Sequence, residues 1–313
     1  MDKVLSHSFE MIKVGSKSFS GASKLLDKHT RESAILLYSW CRYCDDQIDN
    51  QLLGFNLSFE EVKESNDKIL QKIEKKTQQA INNESLEQFE FEALRRVLEK
   101  HQIPEQYPIE HLEGFRMDVE KKQYHTITDT LDYCYHVAGV VGIMMACIFG
   151  IKDPKVLERA ADLGIAFQLT NIARDVIADA EVGRVYLPKE WLVAYDIDPR
   201  SILEIKNRMK LFLLIKKLLD LSDQYYDSAN IGIQSLPLRI RWGIKVALSV
   251  YQQIGFKIRT LSSNAWNQRI YVKRPYKLFL AMKYFIKYFL LPEKTTSKDL
   301  ERDPSLWKKK LNS

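Results

Sequence analysis

The sequence of residues 163–179 is LGIAFQLTNIARDVIAD. Polar residues recur in it at spacings of three, four and four: Gln168, Asn171, Asp175 and Asp179. On an α-helix such positions lie on one side, and most residues between them are apolar. A stripe of acid and amide groups is costly on an otherwise buried helix unless it faces a filled polar cavity. The stretch therefore predicts a core helix that contributes to a polar site; the alternative is an internal salt-bridge network with Arg174.

A second acidic segment, DDQID at residues 45–49, ends another helical pattern. Asp45 and Asp49 are four residues apart, so on a helix their carboxylates lie on one face, about 6 Å apart along the axis. At an effective dielectric near 20 they would repel by about 3 kcal/mol, but by less than about 1 kcal/mol in water. If exposed, the pair is an ordinary solvated helix end; if half-buried, a cation must offset the repulsion. The preceding YSWCRYC, residues 38–44, favours partial burial.

The chemistry of these side chains points to a magnesium–diphosphate site. Carboxylate and amide oxygens are ligands that Mg²⁺ or Mn²⁺ prefers, and Mg²⁺ commonly bridges carboxylates to substrate phosphates. Residues 15–18 (GSKS) lack the upstream glycine of a Walker A loop, and no G-x-G-x-x-G occurs, so nucleotide chemistry is excluded. Cys41 and Cys44 form an isolated C-x-x-C inside a helical pattern, which favours reduced thiols in a cytosolic core.

Composition and periodicity predict one all-α domain. The chain has 313 residues, 45% of them hydrophobic, and a net charge of +6 that favours anionic partners. Helical periodicity dominates, no convincing alternating strand pattern occurs, and no linker or repeat divides the chain. We expect a helical domain over residues 1–291, followed by a charged, flexible tail over 292–313. No nucleic-acid-binding signature is present, so nucleic acid is not an expected partner.

The residues around both acidic motifs resemble the squalene/phytoene synthase family. Leu163-Gly164, Gln168, Asn171-Ile172, Arg174-Asp175, Asp179, Arg184, Tyr186 and Pro188 look like the family's second signature. The stretch YCYHVAGVVG at residues 133–142 resembles the first, and similarity extends from residues 14–19 (VGSKSF) to 265–269 (AWNQR). The resemblance implies a single-domain class I isoprenoid synthase helical bundle, in which two acid-rich helices face each other around a central cavity.

The resemblance also implies roles for individual residues. The expected Mg²⁺ ligands, with Mn²⁺ as the alternative ion, are Asp45, Asp49, Asn171 and Asp175; together with Asp179 they form the expected catalytic set. The expected contacts with diphosphate or the metal-bound end are Arg42, Gln168, Arg174, Tyr251 and Arg269. The substrate entrance is expected to be lined by Ser16, Lys17, Ser18, Phe19 and Tyr38. Some relatives have histidine where this chain has Gly15, so a phosphate contact from that imidazole is absent here.

The implied reaction is a magnesium-dependent, head-to-head condensation of two geranylgeranyl diphosphates in carotenoid biosynthesis. It passes through a cyclopropyl diphosphate and yields phytoene and two diphosphates, without NADPH. One alternative is a relative that uses farnesyl diphosphate to make squalene or dehydrosqualene. Another, of a different class, is a non-catalytic helical scaffold with a degenerate site, against which the intact acid set argues.

The expected location is the cytoplasm, because residues 1–14 are polar and carry no secretory signal. Residues 276–291 mix lysines with aromatic side chains, which suits either a helix on an anionic membrane or a C-terminal helix packed on the core. The very apolar product favours the first, peripheral attachment to the inner face of the cytoplasmic membrane. Other enzymes of the carotenoid pathway are further expected partners.

Overall fold

A computed structural model of the protein describes residues 2–15, 21, 23–49, 51–52, 55–56, 65–291 and 301–309. Its α-helices are α1 (Lys3–Gly15), α2 (Lys28–Ile48), α3 (Asn66–Ile81), α4 (Phe89–His101), α5 (Gln106–Val119), α6 (Ile127–Cys134), α7 (Val140–Ile148), α8 (Pro154–Glu181), α9 (Lys189–Ala194), α10 (Arg208–Ile233), α11 (Leu238–Leu261) and α12 (Arg274–Phe285). Short 3₁₀ turns cover Pro199–Ser201, Ile205–Asn207 and Ser262–Asn264, and π-helical turns cover Tyr135–Gly139 and Ile286–Leu290. The all-α prediction is confirmed.

Two very short strands were not predicted. β1 (Gln51–Leu52) pairs with β2 (Phe55–Asn56) in antiparallel register, just after the acidic end of α2. Strands of two residues are too short to show an alternation of apolar and polar side chains, so the sequence carries no pattern that predicts them.

Capping residues fix where the helices that carry the acidic motifs begin. The Asp27 side chain accepts a hydrogen bond from the Thr30 amide at 3.0 Å and so starts α2. Asp153 does the same for the Lys155 amide, and Pro154 occupies the first turn of α8, where its missing N–H has no partner to lose. These caps set the register in which each acidic stripe emerges several turns later.

α8 is the central helix of the core. It packs against α10, α7, α11 and the π-helical turn Tyr135–Gly139. Its apolar side chains Ile165, Leu169 and Ile172 are buried, as the apolar stretches of the sequence predict. Burial on several sides leaves only a narrow polar stripe to face the site.

The continuous helix from Ile127 to Ile148 is a second core element. It is 22 residues long, and an 18-residue window of it has a mean hydropathy of 1.5, which by length and composition would allow it to cross a membrane, but 61% of that window is buried inside the protein. It contacts α5 and α8, and its centre forms the π-helical turn. We therefore interpret it as a core helix. π-helical turns inside α-helices often mark functional sites.

Glycines allow α8 to approach the Ile127–Ile148 helix very closely. A Cβ added to Gly164 would lie 2.2 Å from the carbonyl oxygen of Ala138, and one added to Gly142 would lie 2.3 Å from that of Ala160. No side chain fits at these distances, so backbone contacts backbone at both glycines. This contact sets how deeply α8 sits in the bundle.

Part of the predicted flexible tail instead packs on the core. Within residues 301–309, Arg302 donates to both carboxylate oxygens of the buried Asp162, at 2.8 and 2.9 Å. Leu306 is buried, and the Trp307 ring lies 5.9 Å from that of Tyr135. The charged composition suggested a solvated tail, but a buried carboxylate on α8 requires a cationic partner, and Arg302 supplies it.

We predict that Gly164→Ala destabilises the fold by about 1–3 kcal/mol, because the added methyl group must separate two helices in backbone contact. The matched control is Gly243→Ala on α11, where the nearest atom to an added Cβ is 3.6 Å away. At that position we expect no loss, or a gain of about 0.5–1 kcal/mol, from the more restricted unfolded chain. Thermal unfolding followed by circular dichroism compares the two. Equal stability of the two variants would contradict the assigned close contact.

Candidate active site

The acidic end of α2 is organised around Arg42. This guanidinium contacts Asp45 at 3.0 Å and the buried Asp46 at 2.6 Å. Asp46 thus anchors Arg42, whereas the Asp45 side chain keeps 45% of its surface exposed. Tyr38 lies one turn earlier and interacts electrostatically with Arg42. Arg42 and Asp45 thus form an ion pair, but Asp45 remains accessible to a further cation.

The polar stripe formed by Gln168, Asn171, Asp175 and Asp179 lies on one side of α8, as its spacing predicts. Arg174 donates two hydrogen bonds to the Asp175 carboxylate, one of them from Nε at 2.9 Å. The Asn171 amide nitrogen donates to Gln168 at 3.3 Å, but its Oδ1 is buried and accepts no hydrogen bond in the described part of the chain. The salt bridge with Arg174, which the sequence offered as the alternative, therefore exists for Asp175. It does not account for the buried Asn171 oxygen, which no described residue hydrogen-bonds.

α11 and the loop after it contribute to the same region. The Tyr251 ring stacks on Phe167 at 4.1 Å, and its hydroxyl interacts with Asn171, Arg174 and Asp175. Arg269 is largely exposed, and its Nε lies 3.9 Å from Asp175 Oδ1. Both residues had been expected near the diphosphate by family resemblance alone. The structure places them beside the Asp175 end of the stripe.

Asp118 on α5 interacts electrostatically with both acidic motifs. Its charge interacts with Asp45 and Asp49 on one side and with Asp179 on the other. Tyr133 and Tyr186 each donate a hydroxyl hydrogen bond to it at 3.0 Å, and their rings stack at 4.6 Å. A third carboxylate on a third helix thus joins the two stripes into one cluster.

Arg184 forms a second link between the motifs. It follows α8 in the chain and contacts Asp49, at the C-terminal end of α2, at 2.6 Å. It also interacts electrostatically with Asp118 and Asp179. The arginine therefore partly offsets the repulsion among carboxylates from α2, α5 and α8.

Burial, together with the neighbouring acids, raises the pKa values of three of these carboxyls. Burial, and then the Asp175 charge, raises the pKa of Asp179 to about 7. Burial raises the pKa of Asp118 to about 6, although Arg184 and the two tyrosine hydroxyls act in the opposite direction. Although the Asp45 side chain is 45% exposed, desolvation by the surrounding protein, and then the neighbouring Asp49 charge, also raise its pKa. Buried carboxyls with raised pKa values that also interact with one another are typical of functional sites.

The donor set fits a hard divalent cation that is shared with a substrate. Within the described ranges, no three carboxylate, imidazole or thiolate groups converge closely enough to hold an ion by themselves. Mg²⁺ is commonly bound by one or two carboxylates together with waters and substrate phosphates, so this spacing suits it. The buried Asn171 Oδ1 and the accessible Asp45 carboxylate are oxygens available for such a role.

The four residues predicted at the start of the substrate entrance stay predictions, and the sequence assigned no role to several residues that the structure places at the site. Ser16, Lys17, Ser18 and Phe19 lie outside the described residues. Asp118 received no role from the sequence, because a lone aspartate on a short amphipathic helix has no informative spacing. Arg184, Tyr133 and Tyr186 lie inside the two quoted signatures, which was the available signal for them.

Comparison of sequences identifies relatives over most of the chain. Residues 12–276 match the family model for squalene/phytoene synthase. The chain is 45% identical over 279 residues to 15-cis-phytoene synthase of Pantoea ananas, covering 89% of this chain and 90% of that one. It is 46% identical over 269 residues to 15-cis-phytoene synthase of Enterobacter agglomerans, with 86% and 90% covered.

Comparison of structures confirms the predicted isoprenoid synthase fold. A dehydrosqualene synthase in complex with a ligand superposes with a TM-score of 0.78 at 25% identity, covering 90% of this chain and 95% of that one. A squalene synthase of Alicyclobacillus acidocaldarius gives a TM-score of 0.71 at 20% identity, with 84% and 94% covered, and shows the fold alone. The chain belongs to the squalene/phytoene synthase family.

Proposed function

We propose that this protein is a phytoene synthase, a prenyltransferase that condenses two geranylgeranyl diphosphates head to head in carotenoid biosynthesis. The observation that carries the proposal is the carboxylate cluster shared by α2, α5 and α8, in a chain whose relatives named phytoene synthase are 42–46% identical. Two acid stripes with separate structural purposes would have no reason to meet through Asp118 and Arg184.

We propose that Asp45, Asp49, Asn171 and Asp175 hold Mg²⁺, with Asp179 in support. The bound ion would neutralise charge on the leaving diphosphate. Arg42, Arg174 and Arg269 supply positive charge from the protein, and Gln168 and Tyr251 orient the same end of the substrate. The proposal is supported by the clustered carboxylates and by the buried Asn171 oxygen, which accepts no hydrogen bond from any residue that the structure describes.

In this proposal, loss of diphosphate from the donor leaves an allylic cation, which alkylates the double bond of the second molecule. Loss of a proton from the resulting carbocation closes the three-membered ring and gives a cyclopropyl diphosphate. A second ionisation, rearrangement and proton loss give phytoene and a second diphosphate. The protein must keep water from the cations. The Ile127–Ile148 helix supplies an apolar wall, and Tyr133 beside the carboxylate cluster marks where that wall meets the polar end.

A product assay tests the substrate. Purified protein with Mg²⁺ receives geranylgeranyl or farnesyl diphosphate, with and without NADPH, and the hydrocarbon is identified by its mass. We expect a forty-carbon product from the longer substrate and no dependence on NADPH. A thirty-carbon product from farnesyl diphosphate, with no turnover of the longer substrate, would instead identify a squalene or dehydrosqualene synthase.

A pair of aspartate substitutions tests the site. We expect Asp45→Asn with Asp175→Asn to lower turnover by on the order of a thousandfold or more, because a carboxylate from each stripe is removed. Helical content measured by circular dichroism should not change. The matched control is Asp196→Asn with Asp198→Asn, which removes two exposed carboxylates elsewhere and should leave turnover unchanged. Product formation by the first variant at the control's rate would refute the metal assignment and favour a different site.

The raised pKa values predict how metal binding depends on pH. Without metal, the protonated form of Asp179 favours the folded state, because its pKa is raised on folding. Its contribution to the free energy of unfolding is fully present below the ordinary pKa of 3.8 and is lost as the pH rises through about 7. Because Mg²⁺ requires the deprotonated carboxyl, added Mg²⁺ and inorganic diphosphate should raise the melting temperature more at about pH 8 than at about pH 6. Differential scanning fluorimetry measures this shift. Asp179→Asn should flatten its pH dependence, and an equal shift at both pH values in the unmodified protein would contradict the prediction.

A further inference from the structure

The outward face of the C-terminal helix is apolar. Leu278, Met282 and Ile286 recur every four residues and are all exposed, Met282 to 59%. Phe279 is 57% exposed as well, and Phe285 and Phe289 remain 36% and 37% exposed although one edge of each contacts Trp242. A helix at the surface of a soluble domain ordinarily turns its polar face to water. Here the arrangement is reversed over about three turns, from α12 into the π-helical turn after it. We call the surface formed by these six side chains the C-terminal apolar face.

The opposite side of the same helix is firmly attached to the core. Leu280 is buried, and the carbonyl oxygen of Ala281 accepts a hydrogen bond from Trp242 Nε1 at 2.9 Å. The Ser249 hydroxyl donates to the Tyr284 hydroxyl at 2.8 Å. The exposed apolar side chains therefore do not result from a helix lying loosely on the bundle. Specific contacts on the opposite side fix the helix in an orientation that directs these side chains outward.

The charge around this face has one sign. Residues 270–291 contain no aspartate or glutamate and carry five basic side chains: Lys273, Arg274, Lys277, Lys283 and Lys287. Lys283 and Lys287 are exposed along one edge of the apolar face. Long lysine side chains at such an edge can extend to phosphate groups while the apolar side chains enter an adjoining hydrocarbon layer.

This charge pattern disfavours a symmetric contact between two copies of the chain. A two-fold interface places the same surface on both sides, so the two basic edges would meet without an acidic partner in residues 270–291. A bilayer of anionic phospholipids meets both requirements at once, because it offers negative headgroups next to an apolar interior.

We infer that the C-terminal apolar face docks the protein on an anionic phospholipid membrane. α12 lies in the headgroup region with Leu278, Met282 and Ile286 directed into the acyl layer. Lys283 and Lys287 contact lipid phosphates. The inference does not require the proposed reaction, since it concerns a surface and not the carboxylate cluster.

Vesicle co-sedimentation of the full chain, without substrate or Mg²⁺, tests this. Vesicles of phosphatidylcholine alone are compared with vesicles containing equal parts of phosphatidylglycerol. We expect binding mainly to the anionic vesicles, and binding at least about tenfold weaker for Met282→Glu with Ile286→Glu. The matched control is Ile205→Glu with Met209→Glu, at exposed apolar positions elsewhere (Ile205 is 85% exposed), which should bind nearly as the unmodified protein does.

A second variant separates charge from apolar contact. Lys283→Gln with Lys287→Gln should weaken binding to anionic vesicles and reduce its salt dependence. The inference is overturned if Met282→Glu with Ile286→Glu sediments with anionic vesicles as the unmodified protein does, or if the control loses binding equally. It is also overturned if sedimentation velocity shows that this substitution converts a dimer to a monomer while vesicle binding is retained, because the face would then be a protein interface.

Discussion

The repulsion among carboxylates from three helices is the constraint around which this structure is arranged. The packing of apolar helices brings Asp45, Asp118 and Asp179 together. Burial and the neighbouring acids then raise the pKa values of all three. Arg42 and Arg184 offset part of that repulsion. A divalent cation with a diphosphate would offset the rest, which is why the cluster is better understood as a binding site than as internal support.

The cluster depends on how closely the helices beneath it pack. α8 carries the second acidic motif, and its depth is set by backbone contacts at Gly142 and Gly164. The same half of α8 is also fixed by the buried Asp162, which is paired with Arg302 from the C-terminal segment. Residues far from the carboxylates thus determine where the carboxylates lie. This explains why glycines occur in both family signatures although they have no chemistry to contribute.

The sequence predicted the elements whose signal is local. Helical spacing placed Gln168, Asn171, Asp175 and Asp179 on one side of a buried helix, and family resemblance brought Tyr251 and Arg269 to the same region. Contacts between residues distant in the chain could not be predicted in this way. Asp118 carries no motif of its own, and the pairing of Arg302 with Asp162 joins residues 140 positions apart. A charged composition alone could not distinguish a free tail from one bound to a buried acid.

The central claim is that both acidic motifs bind one metal–diphosphate group. The most direct measurement is anomalous diffraction from crystals grown with Mn²⁺ and a thiodiphosphate analogue of the substrate, which cannot readily ionise. We predict manganese peaks in coordination contact with Asp45 or Asp49 on α2 and with Asn171 or Asp175 on α8, bridged by the same diphosphate. Metal bound at one motif alone, or a diphosphate held by arginines without any metal, would contradict the account.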